Sequence, residues 1–163
     1  MDSPIEFLIK EVDGGLLSKE FAKLRAGDSI CMYEPWGAFT LPAPKPGPQK
    51  FMFVASGTGI APFHSFVRTY PGLNYQLLLG VRQGSEAYER DHYDATRFVL
   101  CTSRDTQGDC HGRVTDYLKT QPADPNTLYY LCGNYEMIKD VYSLLDAKGV
   151  PKDNVRTEVY FYF

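Results

Sequence analysis

Phe51-Met-Phe-Val-Ala-Ser-Gly-Thr-Gly-Ile-Ala-Pro-Phe63 is the stretch whose reading decides the fold. Its apolar run, Phe51 to Ala55, predicts a fully buried strand that stops at Ser56-Gly57-Thr58-Gly59. Pro62 stands where the first turn of a helix tolerates proline, because a missing N–H costs nothing there. Two glycines between strand and helix let a ligand approach the backbone closely. The helix start adds N–H groups and the positive end of the helix dipole, a combination suited to phosphate or pyrophosphate. An ordinary tight βα turn is the competing reading, since Gly-x-Gly after a strand is a weak signal alone.

Downstream of this stretch the pattern alternates between strand and helix. A helix over about 61–70 leads to a second buried strand, Tyr75 to Val81, and Ser85 to Thr96 predicts a short polar helix. Arg97 to Thr102 is the third strand, Val114 to Lys119 a helix, and Thr127 to Cys132 the fourth strand. Asn134 to Lys148 has the clearest helical period: Ile138, Val141, Leu144 and Leu145 share a face, Asn134 can cap the start, and Gly149 ends it. Val155 to Phe163 is the last strand. Five strands with intervening helices predict an α/β fold, a doubly wound parallel sheet with right-handed crossovers. In the order 3-2-1-4-5 the first and fourth strands flank the switch point, where ligands bind at the carboxyl ends. Gly57-Thr58-Gly59 and Cys132-Gly133-Asn134 then face one crevice, which raises the nucleotide reading above the plain turn.

Upstream, Ile5 to Val12 and Ser29 to Tyr33 predict strands, with a helix over Leu17 to Leu24 between them. Residues 41–48 place four prolines in eight positions, an extended connector. The domain boundaries expected are 1–41, a connector over 42–49, and a nucleotide domain over 50–163. Forty residues cannot build a core of their own, so the first segment belongs to something larger.

Composition narrows the function. Over 163 residues the net charge is −3 with mixed signs, which gives no basic surface for nucleic acid or anionic lipid. No apolar run reaches the length of a membrane span, and no cationic start precedes an apolar stretch as in a signal peptide. The four cysteines lie far apart and the three histidines have no ligand spacing, so neither a metal site nor a disulfide framework is expected. A reduced, cytoplasmic protein follows.

Several separated motifs together resemble the ferredoxin–NADP(+) reductase family, over its nucleotide domain and the end of its flavin barrel. Gly15-Leu-Leu-Ser18, Gly27-Asp28 and Pro35-Trp-Gly-Ala-Phe39 resemble the end of the barrel. Gly57-Thr-Gly-Ile-Ala-Pro62 is similar to the nucleotide loop, and Gly80-Val-Arg82 to the second strand end. Ser103-Arg104 with Arg113, Leu131-Cys-Gly-Asn134 and Glu158-Val-Tyr160 complete the set.

The resemblance implies a remnant of an antiparallel β-barrel before the α/β sheet, and NADP(H) and FAD as cofactors. It implies hydride transfer between them, with electrons passed to or from a ferredoxin-like carrier or an oxygenase. Gly15 and Ser18 would support the flavin pyrophosphate, and Gly57, Thr58, Gly59, Pro62, Gly133 and Asn134 the nucleotide. Arg82, at the second strand end, would also contact the cofactor; Ser103, Arg104 and Arg113 offer a hydroxyl and two guanidinium groups that can hold a 2′-phosphate by charge-assisted bonds, whereas an NAD site more often places a carboxylate on the ribose diol. A solvated surface arginine pair is the plainer reading, and Asp105 next door weighs against NADP. Cys132, Glu158 and Tyr160 would surround the nicotinamide, Cys132 as a placing group rather than a nucleophile. Tyr160 matches the aromatic that stacks on flavin in plant-type relatives, but Phe161, Tyr162 and Phe163 follow it, so the stacking ring is left open. The flavin barrel's Arg-x-Tyr-Ser type motif is absent. The chain is therefore expected to be a truncated reading frame or an excised piece, incomplete alone. A non-catalytic NADP(H)-binding module or docking remnant is the alternative.

Overall fold

The computed structural model describes residues 5–34, 36–42 and 49–161. The elements run α1 (Leu17–Phe21), β1 (Phe51–Ser56), α2 (Ala61–Thr69), β2 (Tyr75–Val81), β3 (Phe98–Thr102), β4 (Cys110–His111), α3 (Val114–Thr120), β5 (Leu128–Asn134), α4 (Tyr135–Ala147) and β6 (Val155–Phe161). Two compact units divide at Thr40 and Leu41.

The second unit is one sheet in the order β4-β3-β2-β1-β5-β6, with every neighbouring pair parallel. β1 is central because its side chains are apolar in both directions. Phe53, Val54 and Ala55 have no exposed surface, and successive side chains along a strand point to opposite faces. Phe53 stacks on Phe63 of α2 at 4.7 Å between ring centroids and meets Tyr130 edge-on at 6.0 Å. Val54 belongs to the opposite layer, with Leu78, Leu131, Val114, Leu118, Ile138, Val141 and Leu145. The sheet is thus covered on both faces, α2 on one and α3 with α4 on the other. Each such side chain contributes about 1.5–3 kcal/mol by burial.

α4 starts and stops where its sequence dictates. Asn134 Oδ1 accepts from the backbone N–H groups of Glu136 and Met137 at 3.0 and 3.3 Å. Gly149 has φ +80°, and Val150 N–H closes the helix end onto Leu145 O at 3.0 Å, a turn that suits glycine.

Four expectations are corrected. The sheet has a sixth strand, β4, whose two residues pair with Cys101 and Thr102. It is too short to show a period, and Asp109 helps hold it by accepting from Leu100 N–H at 2.8 Å. Residues 85–96 form 3₁₀ turns at Gly84–Glu86 and Arg90–His92 instead of a helix. Glu89 between them is left-handed, φ +47° and ψ +37°, which breaks a helical path. β5 runs two residues past Cys132, through Gly133 and Asn134.

The fourth correction concerns the first unit, where the described residues contain no strand at 5–12 or 29–33. α1 stops at Phe21 rather than at Leu24. No described residue from 5 to 42 is buried, and Tyr33 and Trp36 are each 96% exposed. A lone apolar ribbon without pairing partners does not hold strand geometry. Most of the proline connector, residues 43–48, lies outside the described residues, as do Pro35, Tyr162 and Phe163.

Candidate nucleotide-binding site

Parallel register places Ala55 of β1 beside Cys132 of β5, so the two glycine-bearing strand tips adjoin. The contact is backbone on backbone. A Cβ on Gly59 would strike the Cys132 carbonyl and stand 2.7 Å from Gly133 Cα. A Cβ on Gly133, at φ +130°, would strike the Ser56 hydroxyl and stand 2.6 Å from the Ser56 carbonyl oxygen. These two glycines are therefore required for tip-to-tip packing. Gly57 differs: it is left-handed at φ +52°, and no atom lies within 4 Å of where its Cβ would be. That open side is where a ligand can reach the backbone.

Ser56 locks the tips together. Its hydroxyl oxygen accepts from Asn134 N–H at 2.9 Å, while Asn134 caps α4. Sequence reading passed over Ser56; the available signal was a hydroxyl between a buried strand and a glycine loop. Residues Gly57–Ile60 make a 3₁₀ turn that runs directly into α2, with Pro62 in its first turn and Ala61 N–H donating to Thr58 O. The first N–H groups of such a helix have no partner within it. Helix dipole and glycine turn point the same way, toward an anion.

β6 lies on the outer side of β5. Cys132 pairs in register with Glu158, and Tyr160 follows on the same face. The register then slips, Gly133 facing Val159 and Asn134 facing Phe161, which leaves Tyr160 as the extra residue of an irregularity. Such bulges re-aim a side chain. The Cys132 thiol is fully buried, and burial, with the nearby Glu158 charge, pushes it up to about 12. It remains a neutral thiol at neutral pH, so it is unsuited to nucleophilic attack. The Tyr160 hydroxyl is likewise raised to about 12, first by burial and then by its neighbours Cys132 and Glu158. Tyr160 is 47% exposed, with one edge free to meet a ligand.

At the other side of β1 the tips of β2 and β3 are drawn together. Ser103 N–H donates to Val81 O at 3.1 Å and Arg104 N–H to Arg82 O at 2.8 Å. Gly112 N–H donates to Thr102 O, which brings Arg113 to the same end of the sheet at the start of α3. Arg82, Ser103, Arg104 and Arg113 are all exposed. The guanidinium groups of Arg82 and Arg104 make no hydrogen bond or ion pair among the described residues. Asp105 is bonded to backbone. Its carboxylate accepts from Gly84 N–H at 2.8 Å and from Gln107 N–H at 3.1 Å, and the first of these does most to lower its pKa.

Gly15 and Ser18 lie together in the first unit. Ser18 Oγ accepts from Val12 N–H at 3.2 Å, and Gly15 N–H donates to Val12 O at 2.9 Å. A cavity of about 230 Å³ is lined by Arg90, Asp91, Tyr93, Ala95 and Phe98, none of which belongs to the strand tips. No helix among the described residues is long and apolar enough to cross a membrane.

Residues 53–143, which hold both strand tips and the arginine-bearing loops, match the model of the oxidoreductase NAD-binding domain. The chain belongs to this family. As an oxidoreductase NAD-binding domain of the ferredoxin-reductase-like kind, it is 30% identical to the propane 2-monooxygenase reductase component of Mycolicibacterium goodii, over 93% of the chain and 49% of that protein. It is 28% identical to the toluate 1,2-dioxygenase electron transfer component of Pseudomonas putida, over 98% of the chain and 51% of that protein. The chain thus spans about half the length of these curated relatives. The Amycolatopsis cytochrome P450 reductase GcoB shares the fold, with a TM-score of 0.80 at 23% identity over 93% of the chain and 50% of that structure.

Proposed function

We propose that this chain is the nucleotide-binding portion of a flavoprotein oxidoreductase that passes hydride between NADP(H) and FAD. Its electrons go to or come from an oxygenase component or a ferredoxin-like carrier. The observation that carries the reading is the pair of tips clamped by Ser56 and Asn134 beneath the open face of Gly57.

The residues suit a dinucleotide. The Gly57–Ile60 turn and the start of α2 meet the pyrophosphate with backbone N–H groups. Arg82, Ser103, Arg104 and Arg113 hold the 2′-phosphate, and Asp105, whose carboxylate is bonded to the Gly84 and Gln107 N–H groups, leaves that place to them. Cys132, Glu158 and Tyr160, with Thr58, line the nicotinamide end. The bound cofactors supply the redox chemistry; these side chains fix the distance and angle of approach and exclude water. No side chain here is given a proton-transfer role.

None of the described residues of the first unit is buried. We assign residues 1–41 to the end of a flavin domain, with Gly15 and Ser18 at its helix start, residues 42–49 to a connector, and 50–163 to the nucleotide domain. A cytoplasmic setting agrees with four free thiols, among them the exposed Cys31.

Calorimetry with 2′,5′-ADP against 5′-AMP tests the nucleotide reading. Tighter binding of 2′,5′-ADP by on the order of 1–3 kcal/mol supports charge-assisted recognition of the 2′-phosphate. Equal binding removes the case for Ser103, Arg104 and Arg113.

A further inference from the structure

A second cluster of chemically capable side chains lies outside the nucleotide cleft. His64 sits in α2, in the turn that follows the nucleotide loop, while Glu89 and His92 belong to the segment after β2. Three donor atoms, one from each residue, fall within 4.8 Å of one another. Glu89 Oε2 is 2.9 Å from His64 Nε2 and 3.5 Å from His92 Nδ1. Donors on a tetrahedron around an ion at about 2.1 Å are separated by roughly 3.4 Å, so these spacings are those of ligands to one cation.

The surroundings are built to hold this arrangement. His64 is buried, and its ring stacks near-parallel on His92 at 5.6 Å between centroids. Glu89 Oε2 is itself buried and makes no hydrogen bond among the described residues, because its approach to His64 lacks hydrogen-bond alignment. Glu89 is also the only non-glycine among the described residues with positive φ. That conformation is uncommon for a side-chain-bearing residue and needs surrounding support. His92 N–H donates to Glu89 O at 2.9 Å, which ties the two ligand-bearing residues into one turn.

We propose that His64 Nε2, Glu89 Oε2 and His92 Nδ1 form a binding site for a borderline divalent transition-metal ion of the Zn2+ class. Two imidazoles and one carboxylate match that class, whereas magnesium and calcium take all-oxygen sets. Three protein ligands leave one position for water on the His92 side, where the imidazole is 57% exposed. Bound metal staples α2 to the segment after β2 and so braces the helix whose start carries the Gly57–Ile60 turn. The site does not depend on the nucleotide reading. Glu89 and His92 stand three apart in the sequence, and the fold brings His64 to them.

The test is zinc titration of the full 163-residue chain after chelator treatment, followed by calorimetry, with Co2+ absorption as a second readout. The expected result is saturable binding of one Zn2+ per chain and a raised unfolding temperature. Glu89→Gln and His92→Ala each weaken binding by at least about 100-fold, the upper end of losses seen when even a supporting partner is removed. His92 is exposed, so its variant keeps the fold, which circular dichroism without metal checks. The Co2+ form shows an N/O-ligand spectrum without thiolate charge transfer. Absence of saturable binding, binding unchanged in both variants, or a thiolate band would each overturn the proposal.

Discussion

The Asn134 backbone N–H donates to the Ser56 hydroxyl at 2.9 Å across 78 positions of sequence. One bond joins the end of β1 to the end of β5, and the same Asn134 side chain starts α4. Ser56→Ala removes the acceptor and leaves a half-buried N–H. A loss of about 0.5–1.5 kcal/mol is expected, read by urea denaturation. The nucleotide dissociation constant should rise with it, because the loop geometry depends on the clamp. A variant as stable as the parent would show that the bond does not fix the tips.

The glycines of the site should separate by mechanism. Gly133→Ala puts a Cβ into the Ser56 backbone at an unfavourable φ, and Gly59→Ala puts one into the Cys132–Gly133 backbone. Neither neighbour can rotate away. Both variants should be poorly folded or lose more than about 3 kcal/mol, as overpacked or strained core positions do. Gly57→Ala meets only open space and should cost about 1–2 kcal/mol for its left-handed backbone. Its damage should appear in nucleotide affinity instead. Denaturation curves and binding isotherms on the three variants decide the ranking.

Alkaline pH should destabilise the fold through Cys132. Its thiol titrates at an ordinary value of 9.0 when unfolded and near 12 when folded. Above about pH 9 the unfolded chain releases a proton that the native chain retains. Stability is therefore fully present below that pH and declines as pH rises from 9 toward 12. Tyr160, raised from 10.0 to about 12 chiefly by burial, acts in the same direction from pH 10 upward. Urea midpoints measured from pH 7 to 11 should fall over this window, and Cys132→Ala should flatten part of the decline. In the native protein a thiol reagent at pH 8 should label Cys31 before Cys132 or Cys101, which are buried.

Cofactor preference should follow Arg104 and not Asp105. Arg104→Ala should weaken NADPH binding by roughly 1–3 kcal/mol and leave NADH binding nearly unchanged. Asp105→Asn should leave the ratio of the two unchanged, since its carboxylate serves Gly84 and Gln107. A switch toward NADPH in Asp105→Asn would place that carboxylate at the ribose instead.

Much of the sheet was legible because its strands are apolar on both faces, and Phe51 to Ala55 and Tyr75 to Val81 announce themselves without alternation. Asn134 and Gly149 marked the ends of α4 by cap chemistry alone. β4 escaped because two residues carry no period. The helix expected over 85–96 failed at Glu89, whose left-handed backbone no composition signals. At the site, the glycines were found by their pattern, but their packing role was not. Whether a glycine admits a ligand or another backbone depends on what the fold places 3 Å away. Ser56 was missed for the same reason: its partner lies far off in sequence. The strands expected at 5–12 and 29–33 had the right residue types, but strand geometry needs a pairing neighbour as well as propensity.

The central claim is that the tips of β1 and β5 jointly form the mouth of a dinucleotide cleft. Backbone amide NMR during titration with NADPH tests it most directly. Saturable shifts concentrated at Gly57–Ala61 and Cys132–Tyr135, with a second group at Ser103–Arg104 and Arg113, are the predicted result. Shifts centred on the 90–98 loop, or no saturable shifts at the two tips, would contradict it.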